Sequence, residues 1–440
     1  MYNFNFEKYE NALDEAILTK DIGKVMEVKG LLIKAYVPAC SLGSVCEIHA
    51  LNSQHRFLAE VVGFEGQKVL MMALGDKQGV GLGSKVVLQK SRATALAGES
   101  LLGRVLNGLG EPIDGGPPIL LVDEVPLYSD AETPMKRELI RHPLSVGIRA
   151  IDGLITIGQG QRMAFMAGSG VGKSVLLGQM AKFTNADINV IALIGERGRE
   201  VKEFIEGSLG EEGLKRSIVV AVTSDQSPLI RTRGAYLATA FAEYFAHRGK
   251  HVLLMMDSIT RFAMAQREIG LSSGEPPASK GYTPSVFSAL PKLLERAGNF
   301  TNGGSITGLY SVLVEGDDMD EPIADAVRSI VDGHVVLDRR IAQRAHFPAI
   351  DVLQSTSRVM RSVVSDDHTH LGQIMRENMA VYREAEDLIN IGAYKPGANP
   401  KIDRAIQLID GINQFLRQGI DEPSAFQETE QRMLEIAGEA

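Results

Sequence analysis

The 440 residues carry 46 Lys and Arg against 55 Asp and Glu, a formal net charge of −9 that argues against general nucleic-acid binding. Tryptophan is absent and aromatics make up only 6%, which leaves few stacking platforms for bases. With 44% hydrophobic residues, no apolar run long enough to span a bilayer, no cleavable signal pattern and only Cys40 and Cys46, the expectation is a soluble cytoplasmic protein of two or three domains, without a disulfide scaffold or a thiolate metal site.

Residues 1–21 place Tyr2, Phe4, Phe6 and Tyr9 ahead of ALDEAILTK, a spacing that suits a short amphipathic helix. Two readings stand side by side: a start folded over its own barrel, and a partner-binding segment. From Ile22 to residue 92, runs such as GKVMEVKG, LLIKAYV, SVCEIHA, FLAEVVGF, KVLMMAL and SKVVLQ alternate with Gly, Asn or Asp turns. That texture predicts a small antiparallel β-barrel of about six strands. It has no basic, aromatic strand pair, so its role reads as structural, a collar between subunits.

LLGRVLNGLGEPIDGG, from Leu101, reads as a Gly/Pro-punctuated connector. Beyond it, strand-like runs (188–195, 216–224, 251–258 and 304–316) alternate with helical ones, the rhythm of an α/β domain with a largely parallel sheet. The organising stretch is AGSGVGKS, Ala167–Ser174, between the strand ITIGQGQRMAFM and the helix VLLGQMAKF. Small residues let consecutive N–H groups converge on a phosphate, and the helix N-terminus adds its dipole. Gly168, Ser169, Gly170, Val171, Gly172, Lys173, Ser174 and Val175 are the candidate nucleotide-binding residues. Lys173 would reach the terminal phosphates, and Ser174 would hold Mg²⁺. Ala167 stands where the strict pattern has Gly.

Ligands of such sheets gather at the carboxyl ends of strands, which brings distant residues to one site. Asp257 ends HVLLMMD and is the second candidate Mg²⁺ ligand. Glu196, after NVIALIG, would polarise the attacking water, with Arg197 orienting it or offsetting charge. The competing reading is a surface ion-pair cluster of Glu196, Arg197, Arg199 and Glu200. Arg261 would share the side of Asp257 if SITRFAMAQRE is helical. The first half of 267–298 reads as a loop facing a pore or a neighbour. The acids of EGDDMDEP, Glu315, Asp317, Asp318, Asp320 and Glu321, lack calcium-loop spacing and read as a charged interface turn. Arg358, in STSRVM after an apolar strand, could neutralise charge on a γ-phosphate in a neighbouring site. After Asp366, two apolar-spaced segments flank INIGAYKPGANP, and an acidic helical end follows. His368 and His370 in DDHTH could suggest a metal, but a polar helix start suffices.

AGSGVGKS, GERGRE, LLMMDSITRFAMAQRE, GYTPSVFSALPKLLERAG, VEGDDMDEPIAD and HFPAIDVLQSTSRV together resemble the hexameric ATPases related to the ATP synthase α and β subunits. Within them the chain most resembles the ATPases of type III protein export, in the flagellar branch. The resemblance implies a RecA-like P-loop NTPase core, an N-terminal β-barrel and a C-terminal α-helical domain. The expected division is 1–21 partner-binding segment, 22–92 barrel, 93–365 ATP-binding and hydrolysis domain and 366–440 helical domain.

By resemblance, Glu196, Lys173, Arg197 and Arg358 are catalytic, Arg358 as a finger supplied across a subunit boundary. Phe347 falls where catalytic β subunits stack an aromatic ring on adenine, with core packing as its alternative role. The implied cofactors are ATP and Mg²⁺, and the implied assembly is a homohexamer with sites at subunit interfaces. The implied partners are a stalk, stator-like regulatory proteins, chaperone–cargo complexes and the membrane export gate, with no specific nucleic acid. The implied location is cytoplasmic, peripheral to the inner-membrane export apparatus. The virulence injectisome ATPase is the sibling reading. An RNA-translocating helicase, a rotary synthase subunit and a non-catalytic nucleotide sensor are the rivals of other classes.

Overall fold

The computed structural model describes residues 22–51, 54–120, 123–314, 316 and 318–438, so the segment 1–21 lies outside it. The chain divides into two compact units, one ending at Ala93 and also holding Ser272–Gly274, the other made of the rest.

The first unit is a closed barrel of six strands: β1 (Ile22–Lys29), β2 (Leu32–Tyr36), β3 (Val45–His49), β4 (Arg56–Glu65), β5 (Lys68–Ala73) and β6 (Lys85–Lys90). They run in the order β1-β2-β5-β4-β3-β6, with β6 returning to β1. Alternate residues point inward, so Val25, Ile33, Ala35, Cys46, Ile48, Ala59, Met71 and Val86 form one apolar core. Closure leaves no sheet edge to pair with another chain.

The second unit is built on a sheet of nine strands among the described residues. In chain order the elements that position the site are β7 (Val105–Leu106), α1 (Arg149–Leu154), β8 (Arg162–Ala167), α2 (Lys173–Phe183), β9 (Ile188–Glu196), β10 (Ser217–Thr223), α3 (Pro228–Ala246), β11 (His251–Asp257), α4 (Ile259–Ser272), β12 (Ser305–Leu313), β13 (Gly333–Leu337) and β14 (Ile350–Ser357). The order across the sheet is β14-β13-β8-β12-β11-β9-β10-β7, and the ninth strand, the short Gly298–Asn299, pairs antiparallel with the start of β12. β7 to β13 run parallel, and β14 is antiparallel to β13. Helices cover both faces, which is why β9 and β12 read as almost unbroken apolar runs. α3 is buried nearly all round and starts on Ser227, whose hydroxyl accepts from the Ile230 amide, with Pro228 at the first helical position.

Two stretches differ from the sequence reading. The connector after Leu101 supplies β7, which adds to the sheet edge beside β10. Asp114 makes this possible by accepting from the Arg104 guanidinium twice at 2.7 Å and from the Val105 amide. The Arg104 bond is also the main reason the Asp114 carboxyl sits well below its ordinary range. The second difference is that residues 267–272, expected in a loop, continue α4. Ile269 is buried, and Glu268 ties the helix to Arg231 at 2.9 Å. Of the EGDDMDEP acids, Asp318 pairs with Lys280 at 3.1 Å and Asp320 approaches Arg328, while Glu315 and Asp317 are not among the described residues.

The chain ends in α5 (Asp366–Asn390), α6 (Pro400–Leu416) and α7 (Phe426–Ala437). Ser365 caps α5 by accepting from the His368 amide, and Asp366 and Asp367 suit the positive helix end. His368 is buried, bonded to Glu430 at 2.8 Å and to the Gly153 carbonyl at 2.9 Å, so DDHTH starts a helix and holds α7 to α1. Among the described residues no cluster of three His, Cys, Asp or Glu side chains could hold a metal. Met375, Ile412, Phe415 and Met433 join Phe165, Leu176 and Met180 in one core, and buried Arg149 donates to the Phe415 carbonyl and pairs with Glu422. The helical end is therefore packed directly onto the nucleotide-loop side of the sheet.

Candidate active site

The loop from Gly168 to Gly172 joins β8 to α2. Gly172 caps the helix at φ +87°, a left-handed conformation that a side chain would strain. Ser169, Gly170, Ser174 and Val175 are exposed, while Gly168 and Val171 are buried beneath the turn. The loop thus opens its backbone to solvent and is seated on the core by Val171.

Lys173 begins α2 and folds back under the loop. Its ammonium donates to Asp257 Oδ1 and, at 3.4 Å, to the Ser311 hydroxyl. Ser311 in turn donates to the same carboxylate oxygen at 2.6 Å. Asp257 is only 3% exposed, and a carboxylate this buried needs both partners. Both bonds fall on Oδ1, and among the described residues none falls on Oδ2, so the second oxygen remains available to a ligand. Asp257 ends β11, Ser311 lies on neighbouring β12, and Lys173 follows β8 on the other side. The parallel register aligns Ala167 with Leu313 and brings all three together. Thr260, the second residue of α4, accepts from the Leu313 amide at 2.9 Å and ties that helix to the same end of the sheet.

Glu196 ends β9, next to β11, where Leu193 is in register with Asp257. Burial pushes its carboxyl up to about 7, the Asp257 charge adds to the rise, and Lys173 and Arg261 pull the other way. Arg261 lies on α4 as the helical reading required, with its side chain against Gly195: a Cβ there would fall 2.9 Å from the Cβ of Arg261. Its Nε is buried without a hydrogen-bond partner among the described residues. Gly195 has φ +73°, so the backbone turns just before Glu196.

Phe347 comes to the loop from the far side, its ring 3.8 Å from where a Cβ on Gly172 would stand. The residue is 47% exposed, so it reaches solvent and is not a core residue. Its carbonyl accepts from the Gln418 amide at 2.9 Å, and the Gln418 side chain donates to the Gly147 carbonyl at 2.7 Å. Gln179 on α2 donates to the carbonyls of Gly419 and Ile420, so the link between α6 and α7 touches both the phosphate helix and the Phe347 turn.

Two predicted residues stay outside this cluster. Arg197 points to solvent and faces Glu200 at 3.6 Å, one pair of the surface ion-pair alternative, whereas Arg199 faces Glu203 at 3.5 Å and Glu196 lies with Asp257 and Lys173. Arg358 lies at the opposite end of the sheet. Ala167 is in register with Leu337 and Leu337 with Ile350, but antiparallel β14 then runs back to pair Ser357 with Gly333. The four residue steps from Leu337 to Gly333 alone span about 13 Å. Arg358 is exposed there, its amide bonded to the Asp332 carbonyl and its guanidinium 3.5 Å from the Arg328 carbonyl. It cannot serve the phosphate loop of its own chain. Ser311 and Gln418 were missed by sequence reasoning. A serine inside the apolar run GLYSVL is the one signal that pointed to the first, and nothing local pointed to the second.

The oxygen donors fit a hard divalent cation: an exposed Ser174 hydroxyl at the helix start and the unpartnered Oδ2 of Asp257.

Comparison with known proteins agrees across the whole fold. Residues 147–357 match the nucleotide-binding domain of the ATP synthase alpha/beta family, 25–88 its beta-barrel domain, and 364–435 the T3SS EscN ATPase C-terminal domain. The chain is 50% identical to the flagellum-specific ATP synthase of Treponema pallidum over 98% of its own length and 96% of that protein. It is 51% identical to the flagellum-specific ATP synthase of Bacillus subtilis, covering 95% and 96%. It is 48% identical to the type 3 secretion system ATPase of Xanthomonas euvesicatoria, covering 98% and 97%. The assembled ATPase EscN of the enteropathogenic E. coli type III secretion system superposes with a TM-score of 0.87 at 42% identity, over 94% of this chain and 100% of that one. EscN in complex with its central stalk EscO gives the same values.

Proposed function

Because this chain belongs to the flagellar and type III secretion ATPases of the ATP synthase α/β family, and is an ATP-binding and ATP-hydrolysing enzyme of it, we propose that it hydrolyses Mg²⁺-ATP at sites shared between neighbouring copies in a homohexameric ring, to energise or prime export of flagellar proteins through a type III apparatus. The observation that carries the reading is the division of the catalytic set. Lys173, Asp257, Glu196 and Arg261 gather at one end of the sheet, and exposed Arg358 stands at the other. A ring of identical chains supplies both ends to each site.

In the proposed site the amides of Gly168–Ser174 cradle the phosphates, and Lys173 leaves Asp257 Oδ1 to pair with the terminal phosphate oxygens. Ser174 and Asp257 Oδ2 would hold Mg²⁺, which when bound neutralises phosphate charge. Ser311 keeps donating to Asp257 after Lys173 has moved. Glu196 orients the attacking water and accepts its proton, a task suited to a carboxyl held near neutrality. Phe347 lays its ring on the adenine, Val175 flanks the phosphate helix, and Arg261 supports Glu196. Arg358 of the adjoining copy meets the charge that develops on the γ-phosphate. Arg197 keeps a secondary place, since it must leave Glu200 to take part.

A stalk partner, such as EscO is for EscN, is proposed for the ring, together with stator-like regulators, chaperone–cargo complexes and a membrane export gate. Among the described residues no helix is long and apolar enough to cross a membrane, and the proposed location is peripheral to the export apparatus. The test is ATP turnover against protein concentration, with oligomeric mass measured in the same samples. Specific activity should rise as ring-sized species appear. Full activity in monomers would remove the shared-site reading.

A further inference from the structure

Cysteine occurs twice in 440 residues, and the two side chains meet. Cys46 lies on β3 inside the barrel core and is fully buried. Its Sγ is 3.8 Å from the Sγ of Cys40, which is partly exposed in the connection between β2 and β3. This connection is shaped around the pair. Ala39, beside Cys40, has φ +55°, an uncommon conformation for a residue with a side chain. The hydroxyls of Ser41 and Ser44 both donate to the Ser91 carbonyl, at 3.0 and 3.1 Å, and hold the following residues against the end of β6. Bonded sulfurs stand about 2.05 Å apart, so closing the pair asks for a shift of under about 2 Å, on the loop side.

The two thiols are not equivalent. The hydrogen bond shared with Cys40, and then burial, hold the Cys46 thiol far above its ordinary range. Cys40, in contrast, is the sulfur that solvent reaches. That gives an accessible attacking sulfur next to a protonated, enclosed one, the arrangement of a peroxidatic and a resolving thiol. Two sulfurs without a third ligand do not make a metal site among the described residues.

We propose that Cys40 and Cys46 are a reversible oxidation site of the barrel, a dithiol that hydrogen peroxide converts to a disulfide closing the loop between β2 and β3. The Cys40 thiolate attacks one peroxide oxygen, the O–O bond breaks, and hydroxide leaves to be protonated to water. The resulting Cys40 sulfenic acid is attacked by Cys46, the S–O bond breaks as the S–S bond forms, and the Cys46 proton leaves with the hydroxyl as a second water. The two thiols lose two electrons and peroxide gains them.

The test treats the full, reduced chain with hydrogen peroxide, quenches it, and reads thiol count under denaturing conditions, intact mass and peptide linkage. The expected result is loss of both titratable thiols, a mass lower by two hydrogens, a peptide joining Cys40 to Cys46 within a monomeric chain, and reversal by dithiothreitol. Cys46→Ser should stop at the sulfenic acid, captured on Cys40 by dimedone. Cys40→Ser should leave Cys46 unmodified at the same dose. Persistence of both thiols, a cross-link between chains, or sulfinic acid on Cys40 with Cys46 still reduced would each overturn the proposal. Since both single variants keep the barrel residue count and change one sulfur to oxygen, circular dichroism of each checks that the barrel is intact.

Discussion

Replacing Ser311 by Ala removes one hydroxyl that donates at 2.6 Å to a buried carboxylate. A hydrogen bond to a charged group contributes about 1.5–3 kcal/mol. Before nucleotide binds, Lys173 still neutralises Asp257, so the folded protein should lose only about 1 kcal/mol of stability. The larger cost appears when nucleotide draws Lys173 away. Asp257 Oδ1 then loses both of its hydrogen-bond donors, with only Oδ2 left to face Mg²⁺, and kcat/KM should fall about ten- to hundred-fold. The assay is steady-state hydrolysis at saturating Mg²⁺, paired with thermal denaturation of the same preparations. Ser311→Thr, which keeps the hydroxyl, should recover most of the loss. If Ser311→Ala keeps kcat/KM within about twofold of the parent, or if Thr fails as badly as Ala while both melt normally, the bond to Asp257 plays no part in turnover and the assignment falls.

Four further outcomes follow from the same geometry. The Glu196 carboxyl is pushed up to about 7, and the base must be ionised, so kcat/KM should drop about tenfold per pH unit below neutrality and level off above it. Glu196→Gln should abolish turnover and that limb together. Its effect on stability has the opposite sign: a carboxyl whose folded pKa lies above the unfolded value destabilises the fold as pH rises between the two. The Gln variant should therefore melt above the parent at pH 8, with the gap closing toward pH 4. Gly195→Ala puts a Cβ at φ +73° and 2.9 Å from Arg261, and should cost about 1–3 kcal/mol with a loss of activity measurable by denaturation and hydrolysis assays. Phe347→Ala should weaken binding of a fluorescent adenine nucleotide by about 1–3 kcal/mol, whereas Phe347→Tyr keeps the ring face and should bind normally.

Local chemistry made much of this site legible in the sequence. Small residues between an apolar strand and an apolar helix can do little but turn tightly, and acids at strand ends must converge when the strands are parallel. Lys173, Asp257 and Glu196 were readable on those grounds, and so was the barrel from its turn-punctuated alternation. What escaped depends on register and distant pairing. Ser311 sits in an apolar strand where a serine is as easily a tolerated core residue, and only its alignment beside Asp257 gives it work. Val105 and Leu106 look like connector residues until Asp114 bends the chain back and β10 accepts them. The helix over 267–272 was hidden by its polar composition, because its support comes from Arg231 on another helix. Gln418, in a segment with no nucleotide-like pattern, reaches Phe347 only because α6 packs beside α1. Arg358 was recognisable as a residue, but its placement needed the antiparallel turn between β13 and β14, which local spacing does not encode.

The central claim is that each site takes Glu196 from one copy and Arg358 from the next. It is tested most directly by mixing Glu196→Gln with Arg358→Ala chains, each inactive alone, and measuring ATP turnover across the mixing ratio. The account predicts recovered activity that peaks at intermediate ratios, because some interfaces then hold Glu196 and Arg358 intact together. Turnover that stays at the level of the separate variants at every ratio, in rings shown to be mixed, would contradict it.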